Sequence, residues 1–185
     1  MENYLKSFNI LTDEEIALFS KKVKYKQIKK GEFFIKEGRT CQEAAFIIDG
    51  ALRSFYYSST GEEITYCFTF ANTFLSAYSS FLSQEKTAEN IQALTDVELY
   101  TISREEIMEM QESSTNWLKL FKFIAENEYI KMEKRIFLLQ KENAEKRYQD
   151  LVKNQPELLQ QIPLNYLSSY LGITQRHLSR IRKSQ

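Results

Sequence analysis

The sequence predicts an α+β chain in three parts: a β-rich N-terminal roll, one long helix, and a C-terminal group of short helices that ends in a helix-turn-helix. Three observations predict it. Between Val23 and Ile102, aromatic and β-branched residues alternate and are punctuated by glycines, as in antiparallel strands joined by tight turns. Residues 114–141 contain no Gly or Pro and step their apolar positions by 3 and 4, the period of one helix face. Residues 164–183 set Gly172 and Thr174 between two apolar helical faces, the chemistry of a turn between two helices.

The first element is a short helix. Thr12 caps the amide three residues on, Glu15 reaches back, and Leu11 staples onto Ile16, so a helix is expected from there to about Lys21. The roll follows, carried by residues such as Tyr25, Ile28, Phe34, Phe46, Ile48, Leu52, Phe55, Ile64 and Phe68. Gly31, Gly38, Gly50 and Gly61 fall at spacings of 7, 12 and 11, which suits a multi-stranded antiparallel roll or barrel. Ser103 and Glu106 repeat the capping pair with Ile102 stapled onto Ile107, and the roll ends there.

The long helix is expected over residues 114–141. Leu118, Phe121, Ala125, Tyr129, Met132, Ile136 and Leu139 form a coiled-coil-like seam along it. Trp117, Leu120, Phe123 and Ile124 occupy an adjoining face at its start. Two apolar faces early and one later fit a helix that packs on its own roll and then on a twin, so a homodimer is expected with the seam as its interface. Packing on its own roll alone is the alternative. Beyond Glu142 the chain breaks into Ala144–Asn154, a stop at Gln155-Pro156, and Glu157–Gln160 before Pro163. The expected domains are 1–112, 113–142 and 143–185.

Composition excludes several classes. With 185 residues, 43% of them hydrophobic, the chain can fill one large or two modest cores. No apolar run approaches the roughly 20 residues of a membrane span, and residues 1–9 lack the basic and apolar regions of a secretion signal. A cytoplasmic protein without membrane contact is expected. Cys41, Cys67 and His177 are the only cysteines and histidine, too few for a cysteine-bound cluster or a multi-histidine centre in one chain. No metal, no cofactor and no enzyme activity are expected, and the cysteines read as small hydrophobes.

Net charge is zero, but residues 113–185 hold 13 Lys or Arg against 7 Asp or Glu, while residues 1–112 hold 12 against 18. A basic end on an acidic body suits contact with a polyanion through that end. Within residues 164–183, Leu164, Leu167 and Leu171 form one helix face and Gly172 supplies a left-handed stop. Thr174 caps the next helix, and Leu178 with Ile181 closes the core. Small Ser168, four residues before Gly172, suits the close crossing of the two helices. The opposite face of the second helix then presents Gln175, Arg176, Ser179, Arg180 and Lys183. Arginine can donate two bonds to guanine, glutamine can pair with adenine, and lysine can neutralise phosphate. Double-stranded DNA is the expected partner, and Thr174, Gln175, Arg176, Ser179, Arg180 and Lys183 are the candidate contacts. His177 reads as a phosphate-side or packing residue.

At this point the chain resembles the CRP/FNR-type bacterial transcription factors, the catabolite-activator family. The resemblance rests on Gly31-Glu32-Phe33-Phe34, Glu37-Gly38 and Phe46-Ile47-Ile48-Asp49-Gly50-Ala51-Leu52-Arg53 in the roll, then the long helix, then the terminal Leu-Gly-Ile-Thr and Leu-Ser-Arg-Ile-Arg runs. It implies a double-stranded β-helix, or jelly-roll, of the cyclic-nucleotide-binding type, followed by a dimerisation helix and a helix-turn-helix DNA-binding domain. It also implies an expected contact with RNA polymerase. Among the base-reading positions, Arg180 matches the family's commonest arginine, while the altered neighbours imply a different operator.

The expected effector pocket departs from the family. Ser76 and Ala77 stand where Gly and Glu would hold a ribose, and Lys86-Thr87 stands near the place of an Arg-Ser pair. Alanine cannot accept a ribose hydroxyl, and lysine lacks the guanidinium fork, so cyclic AMP is not the expected ligand. A different small effector would meet Tyr66, Ser76, Ala77, Tyr78, Ser79, Ser80, Lys86 and Thr87, unless these residues only pack. Residues 184–185 are too few for a strand after the last helix, so affinity is expected to lean on dimerisation and on Lys146–Lys153. The competing reading is a ligand-binding signalling module whose terminal helices contact a protein.

Overall fold

The structure is a computed structural model that describes residues 1–184, without the side chain of Glu157. It divides into two compact units, Met1–Ser54 with Phe68–Glu126, and Phe55–Cys67 with Asn127–Gln185. The long helix and the second hairpin of the roll each contribute to both.

Eight strands build the roll: β1 (Lys24–Ile28), β2 (Phe33–Ile35), β3 (Glu43–Asp49), β4 (Ala51–Tyr57), β5 (Glu63–Phe70), β6 (Phe74–Leu75), β7 (Asn90–Ala93) and β8 (Val97–Ser103). They form two four-stranded sheets, ordered β1-β8-β3-β6 and β2-β7-β4-β5. β8 pairs antiparallel with both β1 and β3, from Lys24 against Thr101 to Ile28 against Val97, and from Glu43 against Ser103. A β-rich domain followed by a long helix and further helices is the expected α+β architecture.

Inward positions of the two sheets supply the core of the first unit. Ile28, Ala45, Ile47, Leu52, Ile91, Ala93, Val97 and Leu99 are all at or below 3% exposure, so the alternation seen in the sequence is the alternation of strand faces. Gly50 makes the β3–β4 connection at φ 95°, where an added Cβ would lie 2.5 Å from the Asp96 carbonyl oxygen. Only glycine fits both the dihedral and the space.

The helices of this unit close the roll. α2 (Asp13–Lys22) and α4 (Arg104–Ser113) begin with the reciprocal caps the sequence predicts, Thr12 with Glu15 and Ser103 with Glu106. Two short helices lie outside the sequence-based expectation: α1 (Glu2–Ser7) and α3 (Tyr78–Ser83). The second stands where the sequence predicts pocket lining, because Phe81 and Ser80 bury one side of a single turn. α5 (Thr115–Lys141) starts here with Trp117 and Leu120 buried. Trp117 meets Phe19 at 5.5 Å between ring centroids and Phe121 at 5.9 Å.

In the second unit α5 continues into α6 (Ala144–Asn154), α7 (Pro156–Gln161), α8 (Leu164–Leu171) and α9 (Gln175–Lys183). Pro156 opens α7 at a first-turn position, where the missing N–H costs nothing. Tyr148, Leu151, Leu158, Ile162, Leu167, Leu171, Leu178 and Ile181 are buried and form the second core.

Candidate nucleic-acid interface

The helix-turn-helix is built by local rules. α8 ends at Gly172, which adopts φ 65° and ψ 38°. The Gly172 amide donates to the Ser169 carbonyl and the Ile173 amide to the Ser168 carbonyl, each at 3.0 Å. These bonds satisfy carbonyls that the helix end would otherwise leave open. The Thr174 hydroxyl then accepts the His177 amide at 3.2 Å and starts α9. Ser168 is 5% exposed and its hydroxyl donates to the Asn165 carbonyl at 2.9 Å, so the small residue at the crossing also closes its own polar group.

Leu178 at 0% and Ile181 at 7% exposure fix one face of α9 inward. The other face carries the predicted contacts. Thr174, Gln175, Arg176, Arg180 and Lys183 are exposed, and Ser179 is half-buried. Arg182 is exposed as well, and His177 is half-buried beside the core face. Among the described residues, Arg176, Arg180, Arg182 and Lys183 have no ion-pair partner. Four free cations on a nine-residue helix make a surface whose field favours an anion.

The seam predicted on the long helix divides between two environments. Phe121 and Ala125 are half-buried, Phe121 packing against the core of the first unit. Leu139 is half-buried, with its Cδ2 3.6 Å from where a Cβ on Gly172 would lie. Leu118, Tyr129, Met132 and Ile136 are exposed, at 49, 67, 59 and 48%. Ile130 and Phe137, which lie outside the predicted seam, are exposed beside them. Their spacing of seven residues is the sequence signal that marks them.

The residues expected around an effector differ in burial and in hydrogen-bond partners. Ser76 donates to the Glu43 carbonyl at 3.4 Å, and Ser80 accepts the Cys41 amide at 3.0 Å while donating to the Glu85 carbonyl. Thr87 accepts the Glu89 amide at 3.1 Å through its hydroxyl, and its backbone exchanges bonds with Gly38 and Arg39 at 2.8 Å. Ala77 is fully buried, while Tyr78, Ser79 and Lys86 are exposed. Tyr66 belongs to the second unit, where its ring lies 6.2 Å from that of Tyr56. These residues do not fit a cyclic nucleotide: Ala77 offers a ribose no acceptor, and the nearby hydroxyls already serve the backbone. A cleft of about 530 Å³ opens elsewhere in the first unit, lined by residues that include Lys24, Phe33, Lys36, Arg39 and Glu43, and by none of the expected pocket residues.

Among the described residues, no group of three His, Cys, Asp or Glu could hold a metal ion, and no helix is long and apolar enough to cross a membrane. Cys41, buried, and Cys67, half-buried, form no disulfide.

Comparison with known families matches residues 25–114 to the cyclic nucleotide-binding domain. The chain as a whole has the fold of CRP/FNR-family transcription regulators of known structure. FixK2 from Bradyrhizobium japonicum is 16% identical, with 88% of this chain and 83% of that chain covered and a TM-score of 0.76. CLP, the c-di-GMP responsive global regulator of Xanthomonas campestris, is 13% identical, with coverages of 94% and 91% and a TM-score of 0.75. The catabolite activator protein of Thermus thermophilus is 18% identical, with coverages of 94% and 83% and a TM-score of 0.61. No curated protein matches the chain by sequence.

Proposed function

We propose that this protein is a DNA-binding transcription regulator of the CRP/FNR type, a homodimer that reads a palindromic operator through α9. The observation that carries the reading is the polarity of that helix. Leu178 and Ile181 are buried while Arg176, Arg180 and Lys183 stand free on the opposite face. A twofold dimer would set two such helices roughly 34 Å apart, one turn of duplex. In this reading 1–112 is the sensor domain, 113–142 the dimerisation helix and 143–185 the DNA-binding domain. An effector other than cyclic AMP and a contact with RNA polymerase belong to the same proposal.

The roles on α9 follow from side-chain chemistry. Arg180 pairs with a guanine edge, Gln175 reads an adenine, and Arg176 and Lys183 neutralise phosphates. Thr174 and Ser179 fill in shorter polar contacts. Selection from random duplexes should enrich a palindrome. Against the enriched site, Arg180→Ala should cost about 1–3 kcal/mol of specific binding and much less of nonspecific binding. Log affinity should fall steeply with log salt. No enriched palindrome, or affinity indifferent to salt, overturns the reading and favours a protein partner for the terminal helices.

A further inference from the structure

The sheet β2-β7-β4-β5 leaves β5 as an edge strand, and an edge strand carries a row of outward N–H and C=O groups with no ladder partner. Residues 63 and 65 share one side of that strand, because alternate residues point their backbone groups the same way. On the other side the Glu62 carbonyl accepts the Ser58 amide at 2.9 Å, closing the hairpin. The outward pair is met by one side chain. The Ser169 hydroxyl accepts the Thr65 amide at 2.9 Å and donates to the Glu63 carbonyl at 3.0 Å. A hydroxyl both donates and accepts, so one serine can stand in for the missing neighbour strand at that position.

Ser169 lies on α8, three residues before the turn of the helix-turn-helix. The next residue is held from another direction. Arg135 of α5 donates from Nη2 to the Tyr170 carbonyl, and its guanidinium carbon lies 3.6 Å from the Tyr170 ring centroid. Burial pulls the Arg135 pKa down and pushes the Tyr170 hydroxyl up, as expected for two groups packed away from water. Two consecutive residues of α8 are thus tied to the hairpin and to the long helix.

Building on the reading of α9 as a DNA-facing helix, we propose that Ser169 is a positioning residue that latches the helix-turn-helix to the β4–β5 hairpin and so sets the direction in which α9 faces. The latch is also a regulatory contact. β5 runs unbroken from Glu63 to Phe70, so a change in the sheet that shifts the register or tilt of this strand acts on α8 through the Ser169 bridge. No residue of the α9 surface needs to be touched for its orientation to change.

The test uses the full chain with spin labels introduced as genetically encoded residues at positions 60 and 182, one on the hairpin tip and one on α9. Pulsed dipolar spectroscopy of wild type, Ser169→Ala and Ser169→Thr reads the spread of distances between them. A narrow distribution in wild type and Ser169→Thr, broadened in Ser169→Ala, is expected. A distribution equally narrow in all three, broad already in wild type, or broad in both variants overturns the latch. Thermal melts check that Ser169→Ala is folded, and Arg135→Lys, which keeps the charge but not the flat guanidinium, should broaden the distances independently. Each neutral hydrogen bond is worth roughly a factor of five, so Ser169→Ala should bind the selected duplex about ten- to thirtyfold more weakly. Broadened distances with unchanged affinity overturn the link to DNA reading. If wild type binds no duplex at all, the proposed function falls, while the distances still decide the latch.

Discussion

Replacing Met132 with glutamate tests the dimer. Met132 sits between Tyr129 and Ile136 on the outer face of α5, with Ile130 and Phe137 alongside, and all five are between 45 and 67% exposed in the single chain. In a monomer the substitution should be nearly silent, within about 0.5 kcal/mol, because a surface side chain far from any cap or core contact contributes little. In a twofold dimer the same change enters twice and buries carboxylates without partners. Each such charge costs several kcal/mol. Taking only about 4 kcal/mol for the pair, the dissociation constant rises roughly a thousandfold. Met132→Leu keeps volume and polarity and should leave the constant within about tenfold. Sedimentation equilibrium across a concentration series reads both, with melting curves as the control for folding. A wild-type chain that sediments as a monomer at micromolar concentration, or a Met132→Glu chain that dimerises like wild type, refutes the argument that this face is an interface.

Two further outcomes follow from the first unit. Gly50→Ala forces both a left-handed φ on a residue with a Cβ and a 2.5 Å approach to the Asp96 carbonyl, so it should cost about 3 kcal/mol or more. Gly38→Ala, at φ 80° with nothing within 4 Å, should pay only the dihedral part; equal losses in urea denaturation would show that the contact with Asp96 is not the cause. At Glu15, burial alone would raise the pKa, but bonds from Ser114, the Thr12 amide and Asn116 outweigh it and leave the carboxyl below its ordinary value. A depressed folded pKa gives stability that is complete above the ordinary value of 4.5 and is lost as pH falls through the folded one. Glu15→Gln should therefore flatten the acid side of a plot of urea midpoint against pH, and an unchanged acid limb would contradict the assignment.

Features encoded within four residues of one another are legible in the amino-acid order alone. The reciprocal caps of Thr12 with Glu15 and Ser103 with Glu106, the left-handed stop at Gly172 and the Thr174 cap are local hydrogen-bond problems with few solutions, and the structure contains each of them. The buried face of α9 is legible for the same reason, since Leu178 and Ile181 leave no other face to bury. α1 and α3 are not, because neither has a side-chain cap and six residues are too few to display a helical period.

Short-range sterics, capping and hydrophobic period thus set the order of elements, the punctuation between them and the polarity of the last helix. Long-range packing chose which apolar residues of α5 turn inward, sending Phe121 and Leu139 toward the cores of their own units and leaving Ile130 and Phe137 outside. It also decided that Ser76, Ser80 and Thr87 hydrogen-bond to distant or neighbouring backbone groups, and that Ser169 meets a strand edge more than a hundred residues earlier in the chain. The physical reason is that a hydroxyl or an apolar side chain is indifferent to its partner's place in the chain, and only packing in three dimensions chooses which partner it finds.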